Sequence, residues 1–246
     1  MWRVHPKPVY KRVLLKISGE ALAGQRRFGI DQATLDSICA DIKRVADEGV
    51  QIGIVCGGGN YWRGRDFPAM ERTRADHAGM LATVINGLAL QDCLLALGAE
   101  ARLQTAIEMR TIAEFYTRSR AITHLERGCI MIFAAGTGNP YFSTDTAAAL
   151  RAAEINADAI LLAKRIDGIY TDDPEKNGDA RFIEQISYIE VLNRRLGVMD
   201  ATATSLCMDN NIPIVVFGIS DPNNILRVVR GERIGSIVCE NPVLQT

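Results

Sequence analysis

Short apolar runs rich in β-branched residues alternate along the chain with longer stretches in which apolar side chains recur every three or four positions. Residues 12–18 (RVLLKIS) read as a first strand. Residues 31–48 follow as a helix whose Leu35, Ile38, Ile42 and Val45 share one face, with Asp31 as N-cap and Gly49 as stop. Residues 50–56 form a second strand that runs into three glycines. The same reading predicts helices over 74–97, 111–127, 144–155 and 223–230, and strands over 101–105, 129–134, 159–163, 213–217 and 236–239. Strand-helix alternation implies an α/β fold, a three-layer αβα sandwich around a mainly parallel sheet. The unbroken apolar character of CIMIFAA and AILLAK fits strands covered on both faces. Residues 1–246 read as one domain, the turn-rich stretch 167–180 marking a hinge between two lobes.

Composition narrows the classes. Of the 246 residues 48% are apolar and 23% charged, with a net charge of −1 and both signs interleaved. That balance lacks the basic footprint of a nucleic-acid binder. The N-terminus (MWRVHPKPVYKR) is basic and proline-broken with no apolar signal core, and no apolar run approaches the ~20 residues that span a bilayer. These features predict a soluble cytoplasmic protein with no membrane partner. None of the six cysteines forms a C-x-x-C pair or stands at zinc-ligand spacing from a histidine, so they read as buried reduced thiols.

The candidate chemistry lies at strand ends, where open α/β sheets bind ligands. Lys16-Ile17-Ser18-Gly19 ends the first strand and pairs a positive charge with approachable backbone N–H groups. Gly57-Gly58-Gly59-Asn60, followed by Arg63, ends the second; three glycines permit close approach to an anion and backbone conformations that side chains block. Gly136-Thr137-Gly138-Asn139-Pro140 leads through Tyr141-Phe142-Ser143-Thr144-Asp145 into a helix N-terminus, an anion-receiving arrangement. Each element alone has a plainer explanation: a tight turn for the glycines, a solubilising edge residue for Lys16, N-caps for Thr144 and Asp145. Three such loops, each after a strand, are harder to assign to turn chemistry. Neither G-x-x-x-x-G-K-[ST] nor G-x-G-x-x-G occurs, against a P-loop kinase and a dinucleotide-binding oxidoreductase. His5, His77 and His124 have no evident catalytic partner, and no metal cluster is expected.

At these residues the sequence resembles the bacterial UMP kinases of the amino acid kinase family, through PVYKRVLLKISGEAL, GGGNYWRG, DHAGMLATVINGLAL, AAGTGNPYFSTDTAAALRAAEI and DGIYTDDP. The resemblance implies phosphoryl transfer from ATP to UMP in pyrimidine nucleotide synthesis, with Mg²⁺ delivered on ATP. It implies an N-terminal UMP lobe and a C-terminal ATP lobe from roughly residue 160. Lys16, Ile17, Ser18, Gly19, Gly59 and Arg63 match the ATP phosphate set and Tyr170 and Asp173 the adenosine end, with Lys164 a further ATP-binding position. Gly58, Asp76 and the run Thr137, Gly138, Asn139, Pro140, Tyr141, Phe142, Ser143 and Thr144 match the UMP site, Asp76 taking a ribose hydroxyl. Lys16, Arg63, Asp145 and Asp200 match the catalytic positions, Asp200 having helix capping as an alternative.

Two departures stand out. Lys164-Arg165 replaces a stretch where relatives often carry Thr or Asn. Gly24, Gln25, Arg26, Arg27, Phe28 and Gly29 fall in the family's GTP-effector loop, Arg27 standing where relatives carry glycine. The resemblance further implies a homohexamer inhibited by UTP, and the loop carrying Arg27 reads either as a GTP activator site or as a charged tip with no ligand. A carbamate or amino-acid kinase of the same fold, a silent nucleotide sensor and an NAD-binding module are the competing readings.

Overall fold

The first strand, β1 (Arg12–Ile17), lies in the middle of a nine-stranded sheet. A computed structural model describes residues 7–221 and 223–242; His5 and its neighbours at the extreme N-terminus lie outside them. Along the chain follow α1 (Gly19–Ala23), α2 (Gln32–Asp47), β2 (Gln51–Cys56), α3 (Arg72–Ala96), β3 (Ala101–Thr105), β4 (Glu114–Phe115), α4 (Arg118–Glu126), β5 (Ile130–Ala134) and α5 (Thr144–Glu154). Then come β6 (Ala159–Lys164), β7 (Ile169–Tyr170), β8 (Phe182–Ile183), β9 (Gln185–Ile186), α6 (Tyr188–Asn193), α7 (Ala201–Asp209), β10 (Ile214–Gly218), α8 (Asn224–Val229) and β11 (Ser236–Val238).

The strand order is β4-β3-β5-β2-β1-β6-β10-β11-β9, parallel at every step except β10–β11. Strands β7 and β8 form a separate hairpin. Side chains alternate across the sheet. Val13, Leu15 and Ile17 pack beneath α2, α3 and α8, whereas Leu14, Ile160 and Leu162 pack beneath α5, α6 and α7. Helices on both faces of a parallel sheet make the predicted three layers, and each fully buried Leu or Ile contributes roughly 1.5–3 kcal/mol.

Helix α2 begins where its sequence indicated: Asp31 accepts the Thr34 N–H at 2.9 Å, and Gly49 leaves at φ +85°. Three expectations are corrected. The helix predicted over 111–127 is a helix only from Arg118; the Tyr116 N–H bonds Thr105 O at 3.0 Å, and its ring meets Phe133 edge to face, so the first half extends the sheet. The cap of α5 is Ser143, which accepts the N–H groups of Asp145 and Thr146, and Thr144 and Asp145 lie inside the first turn.

The third correction concerns apolar length. Helix α3 is long and apolar enough, by length and composition, to cross a membrane. Its outward residues explain that: Leu81, Ile85, Leu88 and Leu95 are 40–50% exposed, while Met80, Val84, Leu90 and Leu94 pack on the sheet. Apolar residues on both faces erase the one-sided pattern of an ordinary surface helix.

All six cysteines are free thiols, four of them buried. Burial pushes Cys56 and Cys207 up to about 12, far from the thiolate form.

Candidate active site

Because β1, β2 and β5 are parallel and adjacent, the loops leaving their carboxyl ends emerge side by side. The first two touch. A methyl group at Gly19 would lie 2.7 Å from Gly57 O and 2.8 Å from Gly59 N. None of the three consecutive glycines takes a positive φ, which corrects one of the two reasons given for them. They are required by space: a methyl at Gly58 would fall 2.7 Å from Gly79 O and 2.8 Å from the Ala82 Cβ on α3.

The turn is anchored by a reciprocal amide pair. Asn86 Nδ2 donates to Gly57 O (2.7 Å) and to Asn60 Oδ1 (2.8 Å), while Asn60 Nδ2 donates back to Asn86 Oδ1 (2.9 Å) and to Gly29 O (2.8 Å). Both asparagines are buried, and their satisfied amides hold the turn rigidly against α3.

The third loop holds the strain. Gly136 and Gly138 take positive φ, and so do Ala135 (61°) and Tyr141 (71°), where a Cβ makes that conformation costly. Asp76 on α3 stabilises the second of these by accepting the Tyr141 N–H at 2.8 Å, and is itself paired with Arg72. A cavity of about 220 Å³ lies under this loop, lined by Gly58, Gly59, Asp76, Thr137, Phe142, Ser143 and Thr144 among others. Seven positions predicted from the motifs thus share one wall, whereas Gly138, Asn139, Pro140 and Tyr141 form the loop above without lining it.

Lys16 reaches Asp145 at 2.7 Å, an ion pair joining the end of β1 to the first turn of α5. The Asp145 oxygen that faces Lys16 is the buried Oδ1, which meets the ammonium as an ion pair rather than through a well-aligned hydrogen bond. Asp200 caps α7 through Ala203 N (2.8 Å) and accepts hydroxyl hydrogen bonds from Ser143 and Thr146. Its charge is therefore engaged in tying two helix starts together.

A second cavity, of about 420 Å³, brings Lys164, Tyr170 and Asp173 together with the turn at 194–198. The Tyr170 hydroxyl donates to Asp167, which raises its pKa, while Lys176 beside Asp173 holds that carboxyl low. A third, of about 750 Å³, is lined by Gly24, Gln25, Arg26, Arg27 and Phe28 with Gly59, Arg63 and Arg165. Gly29 does not line it and is hydrogen-bonded to Asn60. Arg63 is paired with Glu20 and donates to Gly59 O at 3.1 Å.

Glu20 and the asparagine pair escaped the sequence reading, and Arg165, noted there only as a departure, lines the cavity of the 24–28 loop. Only the fourth residue of GGGN and a lone Asn86 on an apolar helix face hinted at the asparagine pair. His124 pairs with Glu114 at 3.2 Å on the β4 side of the sheet, and His77 is a residue of α3.

An open parallel sheet with three phosphate-suited loops gathered at one edge, a lysine between them and cavities on either side defines an α/β phosphotransferase. The amino acid kinase family matches residues 11–218, and the chain belongs to it. The fold is similar to that of UMP kinase from Bacillus anthracis (TM-score 0.92, 38% identity, 96% of this chain and 99% of that one). It is also similar to UMP kinase from Ureaplasma parvum (0.88, 38%, 94% and 99%). Uridylate kinase from Archaeoglobus fulgidus, at 24% identity and TM-score 0.71 over 92% and 99%, shares the fold.

Proposed function

We propose that this chain is a cytoplasmic UMP kinase, moving the γ-phosphoryl group of ATP onto UMP to give UDP and ADP in pyrimidine nucleotide synthesis. The observation that carries the reading is the Lys16–Asp145 pair joining the phosphate-suited loops, beside the cavity lined by Asp76, Thr137, Phe142, Ser143 and Thr144. That cavity takes UMP, and ATP lies with its adenosine end in the cavity of Tyr170 and Asp173 and its phosphates along Ile17, Ser18, Gly19, Gly59, Arg63 and Lys164.

Phosphoryl transfer requires alignment and charge neutralisation more than covalent help. The accepting oxygen of UMP is already ionised at neutral pH, so no general base is needed. The obstacle is repulsion between two anions, which Lys16 offsets at roughly 4 kcal/mol per close charge pair for an effective dielectric near 20. Among the described residues no three His, Cys, Asp or Glu side chains converge on a metal position. The donor set instead fits a Mg²⁺ carried on phosphate oxygens, with Asp145 the carboxylate that would join its shell. Such a cation would neutralise and align the phosphate oxygens.

An ADP-release assay with UMP, CMP, carbamate and acetylglutamate tests the reading. UMP is expected to be preferred by at least tenfold. Comparable turnover with carbamate or acetylglutamate would replace it with a sister kinase, and binding of both nucleotides without turnover would make the chain a sensor. Asp76→Asn is expected to raise the KM for UMP several-fold with kcat less affected, because the carboxylate both faces the cavity and fixes Tyr141 N. An unchanged KM would remove Asp76 from the site.

The proposal extends to UTP as inhibitor at the same site and GTP as activator at the Arg26–Arg27 loop. The outward apolar stripe of α3 suits packing against a second copy within a homohexamer. A monomer in sedimentation velocity at micromolar concentration would refute that assembly.

A further inference from the structure

Lys164 is held in an unusual way for a half-buried cation. It ends β6 two residues beyond Leu162, the ladder partner of Lys16, so both lysines point to the α5–α7 face at the carboxyl edge of the sheet. Its ammonium donates to Gly197 O at 2.7 Å and to Val198 O. These acceptors are neutral, and among the described residues no carboxylate forms an ion pair with it. Burial pushes Lys164 down to about 8, with Asp145 opposing that and Lys16 adding to it.

The turn that holds Lys164 runs directly into Asp200. Asp200 caps α7 and accepts from Ser143 and Thr146, and Ser143 caps α5 through Asp145 N (3.0 Å) and Thr146 N (3.1 Å). Lys164 lines the 420 Å³ cavity and Ser143 lines the 220 Å³ cavity. A continuous chain of contacts therefore runs from one cavity to the other through Lys164, the 197–200 turn, Asp200 and Ser143.

We propose that Lys164 is a positioning residue that couples the two nucleotide sites, exchanging its carbonyl contacts for a donor phosphate and so re-seating the 197–200 turn, Asp200 and the acceptor loop. The proposal rests on the kinase reading above. A cation gains more from an ionised oxygen than from neutral carbonyls, since charge-assisted hydrogen bonds are roughly twice as strong. Only such a difference between the empty and filled states lets occupancy of one site bias the other.

The test is calorimetric titration of UMP into the full chain, with and without a saturating non-hydrolysable ATP analogue. In the wild type the analogue should tighten UMP binding by about 5-fold or more, within the usual range of coupling between sites. Lys164→Met should reduce that factor to less than twofold, and Lys164→Arg should restore it. A lysine that only braced the turn would weaken UMP binding alone and spare the ratio. If the methionine variant does not fold, Lys164→Gln is read in the same way. An unchanged ratio in the neutral variant, or no coupling in the wild type, overturns the proposal and leaves the kinase reading standing. A wild type that binds neither nucleotide overturns both.

Discussion

Lys16→Ala is expected to lower kcat by roughly a hundred- to a thousandfold, the range for removing one preorganised group that stabilises transition-state charge. The KM for UMP should move less than threefold, because the Lys16 ammonium contacts Asp145 in the first turn of α5 rather than lining the cavity under the acceptor loop. Loss of Lys16 also leaves Asp145 as an uncompensated, partly buried negative charge beside incoming phosphates, which adds repulsion to lost attraction. The control is Lys16→Ala/Asp145→Asn. If the unpaired carboxylate matters, the double variant should recover part of the turnover. Steady-state kinetics with UMP and ATP varied in turn decide it, and a kcat within fivefold of the wild type would remove Lys16 from the centre of the reaction.

Gly19→Ala is expected to cost almost as much, by a different route. The added methyl would lie 2.4 Å from Asn60 Oδ1, 2.7 Å from Gly57 O and 2.8 Å from Gly59 N. Asn60 is fixed by the reciprocal amide pair and the other two atoms are backbone, so nothing nearby yields without moving the glycine turn. Overpacking of this kind destabilises by roughly 1–3 kcal/mol. For a chain of this length that corresponds to a fall in melting temperature of about 2–12 °C. The functional loss should be larger, at least a hundredfold in kcat/KM, since misplacing reacting groups by about 1 Å can cost that much. Gly178→Ala is the matched control, with nothing within 4 Å of the added methyl and no positive φ. It should leave both measurements unchanged. A Gly19→Ala protein with more than half the wild-type kcat/KM would show that the two loops need not touch.

The layers of the fold were legible because the central strands are uninterrupted apolar runs and α2 carries a clean one-sided pattern. The three loops were legible for a local reason: glycines, a lysine and hydroxyls stand directly after strand signals. What escaped was short or set by distant partners. Helix α1 has five residues and β9 two, too few for any periodicity to register. The stretch before Arg118 carries Ile112, Phe115 and Tyr116 at spacings that suit a helix face, yet the free edge of β3 captured it. Cavity membership divided along the same line. Adjacent positions such as Ser143 and Thr144 travel together, but the approach of Glu20 to Arg63 and of Lys164 to the 197–198 turn depends on long-range register. No single-residue propensity encodes that.

The position of β1 has a consequence for how the chain reaches its folded form. Its two neighbours are β2, close by in sequence, and β6, which ends at Lys164. As the polypeptide leaves the ribosome, one side of β1 must wait unpaired for well over a hundred residues, and contacts of such long range are slow to close. An open hydrophobic edge held for that interval is a target for mispairing and an occasion for chaperone capture. Lys16 is thus synthesised well over a hundred residues before the strand that completes its surroundings.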